Sequence, residues 1–341
     1  MSIGQINKYS LLSVLGKGNF GVVYHALDNA LNQEKAIKVL DVEDPSNFVQ
    51  KLYEAQILNI CKHKHIVEIN EANIFQAYGV PKVIIDMEYI PGGSLESLMA
   101  KRFISVVEAR SLFIDTLFGL EHAHMNRILH RDIKPANVMI TENCAKLSDF
   151  GLATMIDPRG IASLGGYRTH AAPEMLTQGI TTVSTDLFAA GVTLFRVVNN
   201  INNWRLIVED IIDLDSVLRS GLLVSQIGFK KFVPNQLIRI LRKATNKDSS
   251  KRFHSASEFR MALEKLTPNI DWNPISVSVW EGKNAEGNLI RVEIKSIRNH
   301  FALEVSKKGR KILKECRDFD TKPNAEAAMF EYIRNTTFNR R

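Results

Sequence analysis

The sequence predicts an α+β protein with a strand-rich first part (called the first lobe below), a mainly helical second part (the second lobe) and a small third domain. Three observations carry this prediction. Up to residue 87, short β-branched segments alternate with turn residues, which favours a small antiparallel sheet. From Leu95 onward, apolar residues recur at helical spacing, which favours a mainly helical second lobe. After residue 274 the pattern is strand-like three times and then helical once, which predicts a β-β-β-α domain.

Composition and charge place the chain among globular proteins. Hydrophobic residues make up 45% of its 341 residues and charged residues 24%, and the formal net charge is +7. The N-terminus lacks the apolar core of a signal peptide, and the longest apolar run, residues 187–195, is too short to span a bilayer. The three cysteines are scattered, which argues against a zinc site or a disulfide framework. We therefore expect a cytoplasmic protein without a membrane partner, whose oligomeric state the sequence leaves open.

The first lobe begins with a predicted strand over residues 9–15 that enters a glycine-rich stretch. This stretch consists of Gly16, Lys17, Gly18, Asn19, Phe20 and Gly21. The residues after Gly21 are strand-like, so the glycines join two strands and do not open a helix, as they would in a dinucleotide-binding fold. Glycines let backbone amides approach phosphate oxygens without a Cβ in the way, so one interpretation is a phosphate-binding turn. The alternative interpretation is an ordinary hairpin turn.

Two charged residues of the first lobe have apolar neighbours. Residues 34–40 form a predicted strand, in which Lys38 points away from the apolar residues on either side of it. The next helix is predicted to begin at Asp44, the N-cap, and has a single acid in its middle, Glu54. Either residue could have a functional role. The alternatives are that Lys38 is simply solvated and that Glu54 is an ordinary surface residue.

A cluster of polar residues follows the long helix predicted over residues 106–125. Asp132, Lys134 and Asn137 lie between apolar flanks that are typical of short buried strands, and Asp149 comes twelve residues after Asn137. Two aspartates, an asparagine and a lysine on adjacent tight loops are what a metal-dependent phosphoryl transfer needs. One carboxylate orients or deprotonates the attacking hydroxyl, and the other holds Mg²⁺ together with the amide oxygen.

The motifs of residues 9–267, taken in order, resemble those of Hanks-type (eukaryotic-type) serine/threonine protein kinases. The matching residues are the glycine-rich stretch, Ala36-Ile37-Lys38, Glu54, His130-Arg131-Asp132, Asp149-Phe150-Gly151, Ala172-Pro173-Glu174, Asp186 and Arg252. The resemblance implies the bilobal protein kinase fold, with the first lobe over 9–87, a hinge over 88–93 and a helical lobe over 94–267. It also implies autophosphorylation and transfer of the γ-phosphoryl group of ATP to serine or threonine hydroxyls of protein substrates, with Mg²⁺ or Mn²⁺ as the metal.

The resemblance implies a role for each matching residue. The catalytic residues would be Asp132 as the base, Lys134 on the γ-phosphate and Lys38 on the α- and β-phosphates, and the metal ligands would be Asn137 and Asp149. The ATP-binding residues would be the glycine-rich stretch together with Val23, Ala36, Lys38, Met87 as gatekeeper, Glu88, Tyr89, Ile90 and Met139. The structural and regulatory residues would be Glu54 as partner of Lys38, Arg131, the ion pair Glu174–Arg252, and Asp186 behind the catalytic loop.

The sequence departs from the family pattern just before Ala172-Pro173-Glu174. Serine/threonine kinases usually carry Gly-Thr where this chain has Gly166-Tyr167. That threonine normally helps to hold the acceptor hydroxyl near the base, so the acceptor preference stays open. Arg131 can bind a phosphorylated residue of the activation segment, for which Ser163 and Thr169 are the candidate phosphosites.

Two other functions stay open. A pseudokinase, which would act as an ATP-binding scaffold, usually lacks one of four residues that this chain keeps. These residues are Lys38, Asp132, Asn137 and Asp149. The third hypothesis is a small-molecule kinase of related fold, against which the glycine flap and the Ala172-Pro173-Glu174 segment argue.

Residues 275–341 form a predicted small basic α+β domain, after a predicted linker at 268–274 that is rich in turn residues. Its strands are predicted at 275–281, 289–297 and 301–305, and its helix at 325–335. The domain has 14 Lys and Arg against 9 Asp and Glu, including the basic run Lys307, Lys308, Arg310, Lys311 and Lys314. This basic domain has three interpretations: it is a nucleic-acid site, a docking site for a protein partner, or a support of the second lobe.

Overall fold

The first lobe is an antiparallel sheet with one helix, which confirms the predicted fold class. The computed structural model describes residues 2–18, 21–41, 48–77, 80–156, 167–298 and 300–339, except for the side chains at positions 18, 48–51, 54, 77 and 80. The described strands are β1 (Gly4–Ile6), β2 (Tyr9–Gly18), β3 (Gly21–Asp28), β4 (Gln33–Asp41), β5 (Ile69–Ala77) and β6 (Val80–Glu88), and the helix is α1 (Phe48–Ile60). They are arranged in the order β1-β2-β3-β4-β6-β5. The helix start predicted at Asp44 lies outside the described residues.

Strand β4 lies between β3 and β6, and this central position buries a lysine. Ile37 and Val39 pack in the core cluster on one face of the sheet, and Leu40 packs in the larger cluster on the other face, with residues of α1. Lys38 shares the face of Leu40 because side chains two residues apart on a strand point the same way. With an exposure of 6%, Lys38 is not a solvated lysine.

The second lobe is mainly helical. Its helices are α2 (Leu95–Lys101), α3 (Val106–Met125), α4 (Pro173–Gln178), α5 (Val183–Val198), α6 (Trp204–Glu209), α7 (Leu214–Arg219), α8 (Leu223–Ile227), α9 (Asn235–Ala244) and α10 (Ala256–Glu264). Helix α5 is apolar nearly all round and buried over most of its length, as expected of a helix at the centre of a lobe. Among the described helices, none is both long enough and apolar enough to cross a membrane.

Two pairs of short antiparallel strands flank the loops of the second lobe that contain Asp132 and Asp149. Strand β7 (Ile128–Leu129) pairs with β10 (Thr154–Met155), and β8 (Val138–Ile140) pairs with β9 (Ala145–Leu147). Residues 130–137 and 148–153 are therefore held at both ends by paired strands. The region predicted as a loop over 152–171 contains β10 and a short 3-10 helix at Arg168–His170 within its described part.

The third domain contains the predicted helix, but its predicted linker and first strand are wrong. Its elements are β11 (Ile270–Ser276), β12 (Val279–Asn284), β13 (Leu289–Ile297), β14 (His300–Lys307), β15 (Arg310–Lys311), β16 (Arg317–Phe319) and α11 (Lys322–Thr336). Strand β11 occupies the predicted linker 268–274, and the strand predicted at 275–281 spans the turn between β11 and β12. Pro274 is compatible with β11 because this strand lies at the edge of the sheet, where a missing N–H costs little.

The third domain packs directly on the second lobe through aromatic side chains. The Trp280 ring lies 5.6 Å from Phe103 and 5.1 Å from Phe232 of the second lobe, and 6.1 Å from Phe330 of α11. The segment after α11 then returns to the second lobe, where Phe338 is 1% exposed within its core cluster. Such a buried aromatic contributes several kcal/mol, so the returning segment completes the core of the second lobe, while the domain keeps a core cluster of its own that packs against it.

Backbone hydrogen bonds fix the returning segment to the connection between α10 and β11. The amide of Asn269 donates to the carbonyl of Thr337 (2.9 Å), and the amide of Asn339 donates to the carbonyl of Thr267 (2.9 Å). These two bonds flank an antiparallel bridge between Pro268 and Phe338. The predicted linker is therefore an ordered part of the interface.

The outer face of the domain's sheet is covered by a lattice of ion pairs. Arg291, Glu293 and Lys295 alternate along β13 with apolar residues that face the core. The pairs, with their N–O distances, are Arg291–Glu281 (2.6 Å), Arg291–Glu293 (3.0 Å), Lys295–Glu293 (3.0 Å), Lys295–Glu304 (2.8 Å) and Lys311–Glu304 (2.6 Å). Three of the basic side chains of this domain thus already have carboxylate partners.

Replacing Phe338 with alanine should lower the free energy of unfolding by about 3–5 kcal/mol, because it leaves a cavity in the core of the second lobe. Denaturant unfolding followed by circular dichroism measures this loss. Leu313→Ala is the matched control, because its side chain is 80% exposed. We expect the control to change stability by less than about 0.5 kcal/mol, and equal losses for the two variants would contradict the burial of Phe338 in the core of the second lobe.

Candidate active site

The glycine-rich stretch forms the ends of strands β2 and β3. Gly21 has a φ of 128°, and a Cβ at this position would lie 2.2 Å from the carbonyl oxygen of Val39. Only glycine fits both constraints, so this residue lets β3 approach β4 closely. Gly16 and Lys17 lie in β2, whereas Asn19 and Phe20 lie outside the described residues.

The strands behind this stretch bring several predicted ATP-binding residues next to one another. Val23 of β3 pairs with Lys38 of β4, and Ala36 of β4 pairs with Met87 of β6. Ala36 is buried, and the side chain of Met87 packs against the main core cluster. These residues therefore lie side by side on three adjacent strands of the first-lobe sheet.

Lys38 reaches across the cleft to the second lobe. Its Nζ donates a hydrogen bond of 3.0 Å to Oδ1 of Asp149. Burial alone would raise the pKa of Asp149, but the charge of Lys38 and its hydrogen bond hold that pKa below the ordinary value. The side chain of Glu54 is not among those described, so its pairing with Lys38 stays a prediction.

The chain passes between the lobes at residues 88–93, where a second glycine is required. A Cβ at Gly92 would lie 2.0 Å from the carbonyl oxygen of Ile140, whose amide in turn donates to Gly93. Strand β8, which contains Met139, is thereby fixed beneath the hinge. The amide of Gly93 also donates to the carbonyl of Ile90, which closes the turn.

Two contacts of the hinge were not evident from the sequence. The carboxylate of Glu88, still part of β6, accepts hydrogen bonds of 2.5 and 2.8 Å from Nζ of Lys146 in β9. The ring of Tyr89 stacks on His25 of β3, with ring centroids 4.0 Å apart. Ala145 and Leu147 on either side are buried, so Lys146 points away from the core. No sequence pattern, however, identifies Glu88 as its partner.

Asp132, Lys134 and Asn137 form one hydrogen-bonded cluster at the floor of the cleft. Oδ2 of Asp132 accepts a bond of 2.5 Å from Nζ of Lys134 and one of 2.9 Å from Nδ2 of Asn137. Nδ2 of Asn137 also donates to the carbonyl of Asp132, so its amide oxygen is the atom left for a cation. Oδ1 of Asp132 is buried and has no hydrogen-bond partner among the described residues.

These oxygen atoms suit Mg²⁺ better than a softer metal. The carboxylate of Asp149 and the amide oxygen of Asn137 are hard donors, which Mg²⁺ prefers. Within the described ranges, no three His, Cys, Asp or Glu side chains gather in a way that could hold a metal. Few protein ligands are what Mg²⁺ needs, because it keeps water and phosphate oxygens in its coordination shell.

The backbone of the catalytic loop is held by Asp186 of helix α5. Oδ2 and Oδ1 of this buried carboxylate accept the amides of His130 (2.9 Å) and Arg131 (2.8 Å), and Nε2 of His124 lies 2.9 Å from Oδ2. Burial alone would raise the pKa of Asp186, but the hydrogen bond and charge of His124 lower it below the ordinary value. Arg131 (φ 70°) and Asp149 (φ 59°) both adopt left-handed backbone conformations, which are uncommon for such residues.

The ion pair between Glu174 and Arg252 lies beneath the activation segment. Nη1 and Nη2 of Arg252 donate to Oε1 and Oε2 of Glu174 at 2.6 and 2.8 Å, and Nε donates to the carbonyl of Asn246 at 2.6 Å. Arg252 is 1% exposed, so removing its partner would leave a buried charge.

The activation segment is described from Tyr167 onward, which places Ser163 outside the described residues. The hydroxyl of Thr169 accepts a hydrogen bond of 2.8 Å from the indole nitrogen of Trp204, a contact that sequence patterns did not indicate. His170 is 2% exposed. Burial, together with the charges of Arg196 and Lys134, lowers the pKa of His170 well below the ordinary value, so this ring is neutral.

Comparison with known proteins identifies most of the chain. The family model described as the protein kinase domain matches residues 9–263. The chain is 31% identical over 272 residues to the serine/threonine-protein kinase PrkC of Bacillus subtilis, an alignment that covers 75% of this chain and 40% of PrkC. A probable serine/threonine-protein kinase of Clostridium perfringens is 28% identical over 278 residues, which is 79% of this chain and 40% of that protein.

A plant relative matches a shorter region. CBL-interacting protein kinase 5 of Oryza sativa is 32% identical over 199 residues, which is 56% of this chain and 42% of that protein. The chain therefore spans about two fifths of the length of these curated relatives.

The free energy of unfolding should decrease as the pH falls below about 6.5, the ordinary pKa of histidine. The unfolded chain protonates His170 near that pH while the folded protein keeps it neutral, so the unfolded state binds more protons and stability is lost. Denaturant unfolding between about pH 7.5 and about pH 5.5 measures this dependence. His170→Leu should lose less stability over this range than the wild type, and the exposed control His254→Gln should match the wild type. Parallel profiles for wild type and His170→Leu would contradict the prediction.

Proposed function

The chain belongs to the protein kinase family, and on this premise we propose that it transfers the γ-phosphoryl group of Mg-ATP to serine or threonine hydroxyls of proteins. The observation that supports the proposal most directly is the charged hydrogen bond between Lys38 and Asp149. It spans the cleft between the lobes, and the hydrogen-bonded cluster of Asp132, Lys134 and Asn137 lies on the side of the second lobe. A phosphoryl transfer needs positioned cations on the phosphates and one carboxylate near the acceptor. The serine/threonine relatives support the choice of acceptor.

Each polar group of the cleft has a part in the proposed transfer. Oδ1 of Asp132, which has no hydrogen-bond partner among the described residues, accepts the hydrogen bond of the acceptor hydroxyl. It takes the proton as the new oxygen–phosphorus bond forms and the bond between the γ-phosphorus and the bridging oxygen breaks, with ADP as the leaving group. Lys134 stabilises charge on the transferred group, and Lys38 binds the remaining phosphates. Asn137 and Asp149 would hold Mg²⁺, which when bound neutralises charge on the phosphate oxygens.

We also propose autophosphorylation in the activation segment, with Ser163 and Thr169 as the candidate sites. Arg131 lies next to the base, and an arginine can order such a segment by binding a phosphoryl group. Phosphorylation of Thr169 would require its hydroxyl to give up the hydrogen bond from Trp204. The three free cysteines support a reducing, cytoplasmic setting.

For the third domain we propose support of the second lobe as its role. This proposal is supported by the contacts of Trp280 with Phe103 and Phe232 and by the burial of Phe338 in the core of the second lobe. The ion-pair lattice leaves Arg291, Lys295 and Lys311 neutralised by carboxylates, which makes that face a poor ligand for nucleic-acid phosphates.

The activity is tested with labelled ATP, Mg²⁺ and a generic protein substrate, followed by mass spectrometry of the phosphorylated residues. Lys38→Met and Asp149→Asn should each reduce transfer by at least about 100-fold, because each removes a charge that stabilises the transition state. Lys283→Met, which changes an exposed lysine of the third domain in the same way, is the matched control and should keep wild-type activity.

Near wild-type transfer by either cleft variant would contradict the assigned roles. Nucleotide binding without transfer by the wild type, measured by calorimetry, would favour a pseudokinase. Phosphorylation confined to tyrosine would refute the proposed acceptor class.

A further inference from the structure

Tyr167 lies against the lysine of the catalytic cluster. Nζ of Lys134 lies 5.3 Å from the centroid of the Tyr167 ring, within the range of a cation–π interaction. The same ammonium donates its hydrogen bond of 2.5 Å to Oδ2 of Asp132. The Lys134 side chain is thus bound by the carboxylate and by the face of an aromatic ring.

The Tyr167 ring is supported by a buried row of side chains. It lies 5.2 Å from the ring of His170, which lies 5.5 Å from Trp204 in an edge-to-face contact. The guanidinium of Arg196 lies 4.9 Å from the Trp204 ring and donates to Glu96 at 2.9 Å. Since His170, Trp204 and Arg196 are all at most 3% exposed, the row is a rigid base for Tyr167.

Lysine needs such a support more than most residues. Its stem has four rotatable bonds, and its ammonium is strongly hydrated, so a lysine at the edge of a cleft readily turns to solvent. The side chain of Lys134 is 24% exposed, whereas that of Asp132 is 8% exposed. A ring that covers part of the ammonium limits this motion and keeps Nζ beside the carboxylate.

The ring also borders the space next to the proposed base. A small cavity of about 10 Å³, which is at the lower limit for a single water molecule, is lined by Tyr167, His170 and Asp132 among others. The position of Tyr167 is therefore coupled to that of the Asp132–Lys134 pair.

We propose that Tyr167 is a positioning residue that holds Lys134 on Asp132 through its ring face, so that the ammonium is in place when the phosphoryl group is transferred. The proposal rests on the proposed function for its effect on turnover. The hydroxyl of Tyr167 has no part in it, because the ring face is the group that contacts Lys134.

Turnover of Tyr167→Leu and Tyr167→Phe distinguishes this role from simple filling of space. Tyr167→Leu, which keeps an apolar side chain but loses the ring, should lower kcat by about 3- to 10-fold with the KM for ATP unchanged. Tyr167→Phe should restore kcat to within about twofold of the wild type. The exposed control Leu313→Ala should leave both constants unchanged. Equal kcat values for the leucine variant and the wild type would overturn the proposal, as would failure of the phenylalanine variant to restore turnover.

A thermal unfolding cycle tests the same contact independently of catalysis. It compares the wild type, Lys134→Met, Tyr167→Leu and the double variant. Tyr167→Leu should lower Tm less in the Lys134→Met background than in the wild type, because the cation is already absent. Additive changes in Tm would overturn the proposal even if the protein is active. If the wild type transfers no phosphate, the proposed function fails, and this cycle still decides whether Tyr167 holds Lys134.

Discussion

The geometry of the cleft depends on one buried carboxylate, that of Asp186. It accepts hydrogen bonds from the amides of His130 and Arg131, and the ring of His124 lies within hydrogen-bond distance. Hydrogen bonds to a charged group contribute about 1.5–3 kcal/mol each, enough to hold Arg131 in a left-handed conformation. Because Asp186 belongs to the central helix α5, the catalytic loop takes its position from the best-packed element of the lobe.

From this anchor, contacts extend to both sides of the cleft. The ring of His130 packs edge-to-face on the ring of Phe150, with centroids 4.6 Å apart, and its Nε2 forms a hydrogen bond with the carbonyl of Ser148. These two contacts hold the residues on either side of Asp149. Asp149 then meets Lys38 of the first lobe. A single buried helix therefore positions the proposed base Asp132, the proposed metal ligand Asp149 and, through a salt bridge, Lys38 of the first lobe.

The order of short motifs was sufficient to predict the two-lobed fold and to name the residues that meet at Asp132 and Asp149. These motifs need particular residue types for their chemistry, so they are visible in one sequence. The contacts of Lys146, Trp204 and Tyr167 were not predictable, because ordinary side chains make them across large sequence separations. Strand β11 was missed because proline and asparagine normally indicate a turn, and only the edge position in the folded sheet makes them compatible with a strand.

The returning segment at Phe338 has a consequence for synthesis. The core of the second lobe stays incomplete until this residue leaves the ribosome, although the family-matched region ends at residue 263. At typical elongation rates of about 5–20 residues per second, the lobe waits roughly 4–15 s with part of its apolar interior uncovered. During that interval the exposed apolar surface of the nascent chain favours binding by chaperones.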